Sequence, residues 1–289
     1  MATVLKGAPV AAEINQELSE RIAMLRQHGI NPTLCTIRVG ESPDDISYET
    51  GAAKRAAKLG VEHVKVVLPD SATQDEVIAA ICEANNNPAV HGILVFRPLP
   101  KHIDDAAIRA ALCPDKDVDG ITEGSLNGVF TGSGKGFPPC TAQACIEILE
   151  RTGTELKGKN AVVIGRSLVI GKPVAMMLLQ KNATVTICHT RTVDTPTIAK
   201  RADIIVAAAG SAGMVNANYL SSGQTVIDVG INVSDKGKLC GDVKFDEAEA
   251  IVERITPVPG GVGAVTTSVL MSHVVESAMR TLKRNGLSY

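Results

Sequence analysis

The chain reads as an α/β protein of two domains built on parallel sheet, and three features predict this. Strand-like apolar runs alternate with helical patterns of about 10–15 residues, the arrangement of βαβ units. The interior has to be aliphatic: 45% of the 289 residues are hydrophobic, but only four Phe and three Tyr are present and Trp is absent. Cores of this kind suit central parallel strands rich in Val and Ile. A glycine-rich stretch without periodicity, residues 113–139, then separates two such α/β runs.

Each element follows in order. Residues 11–28 form an amphipathic helix, with Ile14, Leu18, Ile22 and Leu25 three to four apart. Residues 33–39 make a strand ending at Gly40, and 44–59 a helix stopped by Gly60. Strand 62–68, helix 74–83, strand 92–96 and helix 104–112 complete the first run. The stretch 113–139 is a linker or a functional loop, and it carries Asp115, Asp117 and Asp119. The second run opens with helix 140–150, then strand 161–164, a glycine-bounded turn and helix 172–180. Strand 183–188, helix 195–200 and strands 203–207 and 225–229 follow. Pro257–Ala264 forms a stiff Pro/Gly loop, and a last helix over 265–283 aligns Leu270, Val274, Ala278 and Leu282. The domains are therefore placed at 1–137, completed by the C-terminal helix within 265–289, and at 138–264.

Charge and composition exclude several classes. Net charge is −2, from 29 basic and 31 acidic residues, with no basic block, which argues against nucleic acid and membrane surfaces as partners. Few aromatics leave little for stacking bases. No apolar run approaches the roughly 18 residues of a membrane span, and the first twenty residues lack a signal-peptide core, so a cytoplasmic protein is expected. Seven scattered cysteines without a CxxC pair read as reduced thiols. Six histidines show no metal-ligand spacing, so no metal is expected.

The sharpest motif is Gly165-Arg166-Ser167, continuing to Gly171-Lys172-Pro173. It follows an apolar strand and opens an apolar helix, the setting of a dinucleotide-binding turn in which small residues admit a pyrophosphate to the helix N-terminus. Its GxSxxxG spacing departs from GxGxxG, and a plain βα turn is the competing reading. The next strand ends in His189-Thr190-Arg191-Thr192. An NAD site usually carries an acid there for the ribose hydroxyls. Two hydroxyls and Arg191, with Arg166 nearby in the pattern, suit a 2′-phosphate instead and favour NADP.

Further segments fall into line with that turn: GILVFRPLP (92–100), PDKDVDG (114–120), PPCTAQA (138–144), VIDVGIN (226–232), GDV (241–243) and ITPVPGGVG (255–263). With them the chain resembles the bacterial methylenetetrahydrofolate dehydrogenase/methenyltetrahydrofolate cyclohydrolase family of one-carbon metabolism and purine biosynthesis. The resemblance implies an N-terminal α/β folate domain to which the last helix returns, a Rossmann-like NADP domain with a parallel sheet, and a homodimer. It implies that Gly165, Arg166, Ser167, Thr190 and Arg191 bind NADP, with Ile231 near the nicotinamide. It also implies that Tyr48 stacks on the tetrahydrofolate, Asp119 recognises the pterin, and Pro259, Gly260 and Gly261 line the folate pocket. A carboxylate suits a pterin's adjacent amino group and ring N–H; the alternative for Asp119 is a turn cap.

The chain departs from the family where proton transfer is concerned. The family pattern places a lysine four residues after the tyrosine and a glutamine in the VQLPLP strand. Here those positions are Ala52 and Phe96, and Asp45 replaces a small residue three before Tyr48. Lys54 lies about 120° around the helix from Tyr48, and Lys58 lies about 80° around and roughly 15 Å along it. Arg97, next to Phe96 on a strand, is expected to face away. Two coupled losses point to an NADP-dependent dehydrogenase with weak or absent cyclohydrolase activity. A fully bifunctional enzyme, with Asp45 or water moving the proton, is the alternative. A non-catalytic folate sensor and a shikimate- or amino-acid-type dehydrogenase are further rivals. Ala142 and Ala264 stand where the family has proline and remove no chemistry.

Overall fold

A computed structural model describes residues 1–234, 237–284 and 286. In chain order they form β1 (Thr3–Val4), α1 (Gly7–Gln27), β2 (Thr33–Val39), α2 (Pro43–Leu59), β3 (Glu62–Leu68), α3 (Gln74–Asn86), β4 (Gly92–Val95), α4 (Asp105–Ala111), α5 (Glu123–Thr131) and α6 (Cys140–Arg151). Then come β5 (Asn160–Ile164), α7 (Gly171–Gln180), β6 (Thr184–Cys188), α8 (Thr195–Lys200), β7 (Ile204–Ala207), β8 (Thr225–Asp228), β9 (Asn232–Val233), β10 (Leu239–Cys240), α9 (Phe245–Glu249), β11 (Arg254–Ile255) and α10 (Gly263–Arg284). The chain divides into two compact units. One is Glu13–Cys140 with the chain from Thr267; the other is Met1–Ala12 with Thr141–Thr266. Within the C-terminal stretch assigned to the last helix, residues 285 and 287–289 lie outside the described residues.

The unit of Glu13–Cys140 is built on a three-stranded parallel sheet in the order β3-β2-β4. Every residue of β2 is buried because both faces are covered. Cys35, Ile37 and Val39 pack with Val77 and Ile81 of α3 and Ile108 of α4. Thr36, on the alternate face, donates to the Glu49 carboxylate of α2 at 2.8 Å, so Thr36 and Arg38 look toward α2. Helix α2 stops at Gly60, whose φ of 78° makes the left-handed cap.

The stretch 113–139 is more than a loop, because α5 lies inside it. Thr122 caps this helix by accepting from Ser125 N–H. Glycines at 124 and 128 hide its period in the sequence. Gly128 is required by close approach, since a Cβ there would sit 1.9 Å from the Lys135 carbonyl oxygen.

The other unit carries a six-stranded parallel sheet, β1-β11-β8-β7-β5-β6. Its core includes Val162, Ile164, Ile205, Ala207, Val226 and Ile255. The first domain was expected to begin at residue 1, but residues 1–12 belong here. Thr3 and Val4 pair with Arg254 and Ile255, and a two-residue edge strand leaves no alternation to read. A short antiparallel pair, β9 with β10, projects after β8.

Candidate active site

The cofactor candidates gather in the second unit. Gly165 follows β5 with φ of +135°, and a Cβ there would lie 2.1 Å from the Ala208 carbonyl oxygen. Only glycine fits both the conformation and the contact. Ser167 Oγ accepts from Ile170 N–H at 3.1 Å and Gly171 N–H at 3.4 Å, which closes the turn into α7. At the end of β6 the His189 N–H donates to Thr192 Oγ1 at 2.8 Å, and Arg191 N–H donates to His189 Nδ1 at 3.1 Å. A cavity of about 410 Å³ opens here, lined by Gly165, Arg166, Ser167, His189, Thr190 and Thr192 among others. Among the described residues no carboxylate lines it. Arg166, in the lining, and Arg191, outside it, are both exposed. These residues fit a dinucleotide bearing a ribose phosphate.

Two of the predicted set stand apart from that cavity. Arg191 and Ile231 are not among its lining residues, and Ile231 is 72% exposed. Thr195, Met214 and Tyr219 line it and were not legible, because they come from separate segments with no motif. The Pro259-Gly260-Gly261 loop is tied to the start of the chain, where Gly7 N–H donates to the Gly260 carbonyl at 2.8 Å.

Two of the folate candidates, Tyr48 and Asp119, belong to the first unit, whereas Pro259, Gly260 and Gly261 belong to the other. Tyr48 of α2 and Phe96, just beyond β4, form an edge-to-face pair with centroids 6.1 Å apart and planes at 78°. Phe96 is 8% exposed and Tyr48 36%, so Phe96 is the buried support and Tyr48 the accessible face. Desolvation first, and then electrostatic coupling to Cys140 and Asp119, holds the Tyr48 hydroxyl well above the ordinary phenol range. Tyr48 is a neutral donor at any working pH.

The acidic cluster divides its roles. Asp117 is fully buried and accepts from Ile121 N–H at 3.0 Å and Thr122 N–H at 2.8 Å. The turn-capping role thus falls to Asp117, not to Asp119. Desolvation and the neighbouring Asp117 charge push Asp119 up to about 6, against the pull of Cys140 and Arg97. Cys140 is itself held far up as a thiol, by burial first and then by Asp119, and donates to the Val118 carbonyl at 3.1 Å.

Phe96 and Arg97 reach different helices, Phe96 meeting Tyr48 of α2 and Arg97 meeting Asp105 of α4. Strand β4 ends at Val95, so the alternation of a pleated strand does not extend to residues 96 and 97. The guanidinium is gripped by Asp105, with Nη2 to Oδ2 at 2.8 Å, and its charge reaches Asp119.

The positions that lack the expected proton-transfer groups are packed and apolar. Ala52 is 0% exposed, while Lys54 and Lys58 are exposed. Beside Ala52 on the same helical face, Glu49 is buried. It accepts from Thr36 Oγ1 at 2.8 Å and pairs with Lys65 at 2.7 Å and Arg38 Nε at 3.5 Å. Burial pushes Glu49 up, but Lys65, Thr36 and Arg38 outweigh it and hold the carboxyl below its ordinary value. Asp45 is partly buried. Desolvation raises it, Arg38 opposes this, and Asp44 and Glu49 reinforce it. No sequence motif marks the Glu49 network, since its members are spread over β2, α2 and β3.

Comparison with known proteins matches both units. A family profile described as tetrahydrofolate dehydrogenase/cyclohydrolase, catalytic domain, fits residues 5–119, and one for the NAD(P)-binding domain fits 139–282. The chain is 50% identical over 279 residues to the bifunctional protein FolD of Carboxydothermus hydrogenoformans, covering 96% of this chain and 97% of that protein. It superposes on the crystal structure of the bifunctional FolD from Campylobacter jejuni with a TM-score of 0.94 and 38% identity, covering 97% and 99% of the two chains. A Trypanosoma brucei methylenetetrahydrofolate dehydrogenase-cyclohydrolase, complexed with NADP and an inhibitor, matches with a TM-score of 0.91 and 38% identity, over 98% and 99%. The chain therefore belongs to the tetrahydrofolate dehydrogenase/cyclohydrolase family.

Proposed function

We propose that the protein oxidises 5,10-methylenetetrahydrofolate to 5,10-methenyltetrahydrofolate with NADP, and that its hydrolysis of the methenyl product is weak or absent. The cofactor, when bound, accepts the hydride that leaves the one-carbon bridge. The chain's own residues bind and orient. Asp119 as a carboxylate accepts from the pterin amino group and ring N–H. The Tyr48 ring, backed by Phe96, gives a flat apolar support. Gly165, Arg166, Ser167, Thr190 and Arg191 hold the phosphates and ribose, Ile231 meets the nicotinamide through its backbone, and Pro259, Gly260 and Gly261 bound the folate. Hydride transfer demands positioning above all, since the folate nitrogens stabilise the cation formed. Hydrolysis also demands a proton-transfer group beside the bridge.

The observation that carries the second half of this reading is the pair Ala52 and Phe96, both buried and neither able to hold a proton. The relatives are named bifunctional, and Asp45 supports a second reading in which it moves the proton. It lies three residues before Tyr48 in α2 and is partly buried. Two assays separate the readings: NADP-coupled oxidation of methylenetetrahydrofolate, and methenyl hydrolysis above the buffer rate. Robust oxidation without enzyme-dependent hydrolysis supports the first, and hydrolysis abolished by Asp45→Asn supports the second. The reading includes a cytoplasmic location and a homodimer; sedimentation of the purified protein tests the second.

A further inference from the structure

The Gly241–Val243 segment lines none of the nucleotide cavity, yet it holds that cavity's wall. Asp242 is fully buried and accepts four hydrogen bonds. Its Oδ2 accepts from the main-chain N–H groups of Ala209 at 2.6 Å and Gly210 at 2.9 Å. Its Oδ1 accepts from Ser211 N–H at 2.8 Å and from Asn232 Nδ2 at 2.9 Å. A carboxylate offers about four lone-pair sites, so this one is saturated.

A second buried acid fixes the first. Asp228, the last residue of β8, accepts through Oδ1 from Asp242 N–H at 2.9 Å and Gly230 N–H at 3.1 Å, and through Oδ2 from Val243 N–H at 3.0 Å. The main chain anchors the same segment, with Val215 N–H donating to the Asp242 carbonyl at 2.9 Å. Any side chain at Gly241 would collide with Asp228, its Cβ falling 1.8 Å from Oδ2.

The two stretches so joined, Ala209–Ser211 and Gly230–Asn232, leave the carboxyl ends of the neighbouring strands β7 and β8. Parallel sheets place ligands at that end. Ala208 and Ala209 line the 410 Å³ cavity, and Ala208 packs directly on the Gly165 turn. Burying a carboxylate is costly unless its oxygens are well served. Asp242 meets that condition by recruiting the backbone of the cavity wall.

We propose that Asp242 is a positioning residue for the cofactor: held in place by Asp228, it fixes the backbone of Ala209–Ser211, of which Ala209 lines the dinucleotide pocket, and ties it to the side chain of Asn232. The identity of the ligand rests on the cofactor reading above; the clasp itself does not. Asp242→Asn keeps the shape but turns an amide NH2 toward two of the four donors. KM for NADP is expected to rise about tenfold, with the folate KM and kcat changed less than about threefold. Amide hydrogen exchange at 209–211, measured without cofactor, is expected to quicken selectively. Asn232→Ala removes a single donor and serves where the first variant folds poorly; it is expected to raise the NADP KM about threefold. Unchanged NADP KM and unchanged exchange overturn the proposal. An equal rise in both KM values with general loss of amide protection also overturns it, since that marks a purely structural role. Failure of the wild-type protein to bind NADP in direct titration removes the cofactor reading alone, and the exchange measurement then decides whether the clasp exists.

Discussion

Asp119 carries opposing influences within a few side chains. Burial and Asp117 favour its acid form, whereas Cys140 and Arg97 favour the carboxylate, and the balance lies at about 6. Only the carboxylate can accept two hydrogen bonds from the pterin edge. The folate KM should therefore rise as pH falls through 6, while the NADP KM does not follow it; initial-rate kinetics between pH 5 and pH 8 check this. Asp119→Asn should raise the folate KM about tenfold or more and flatten that pH dependence. Phe96 tells a different story at the same scale. Its ring supports Tyr48 edge-on, so Phe96→Ala should weaken folate binding through loss of packing, with the NADP KM unmoved.

At the scale of elements, α2 is pinned through a single buried carboxylate. Glu49 joins it to Thr36 and Arg38 of β2 and to Lys65 of β3. Removing it leaves Arg38 buried without its counter-charge, and Glu49→Ala should cost about 3 kcal/mol, read from urea denaturation. Ala52 lies on that same buried face. A lysine placed there alone would bring a second cation toward Arg38, so Ala52→Lys should destabilise α2 before it restores any proton chemistry. Elements also show what the sequence could reveal. Strands β2 and β3 begin and end where alternation and flanking glycines place them, and the Gly165 turn was visible because strand, turn and helix are contiguous. Helix α5 was hidden by Gly124 and Gly128. Strands β1 and β11 are two residues long and carry no period. The Asp228–Asp242 clasp was invisible for another reason: its partners are nearly all backbone N–H groups, which every sequence has.

Across the whole molecule, several buried groups respond to pH in opposite senses. Asp119 and Asp228 each have a native value of about 6 against an ordinary 3.8. A carboxyl raised on folding adds stability while protonated, in full below its unfolded value, and loses it as pH rises through 6. His91 acts the other way. Desolvation, with Lys116 nearby, lowers it from 6.5 to about 4, so its contribution is present above 6.5 and is lost as pH falls toward 4. Replacing Asp119 by asparagine should therefore make the protein progressively more stable relative to wild type as pH rises from 4 to 7. Urea unfolding at several pH values measures that difference. The two-unit α/β architecture was legible from alternation and aliphatic composition, but the membership of residues 1–12 was not, because it depends on the β1–β11 pairing and the Gly7–Gly260 hydrogen bond.

We propose that this scaffold retains hydride transfer and lacks the proton chemistry of hydrolysis. The most direct measurement is the ratio of the two activities in one purified preparation, with NADP supplied for the oxidation and methenyltetrahydrofolate supplied for the hydrolysis. Steady NADP-coupled oxidation with methenyl decay no faster than in buffer is the expected result. Enzyme-dependent hydrolysis at a rate comparable to oxidation would contradict it and return the proton-transfer role to a group such as Asp45.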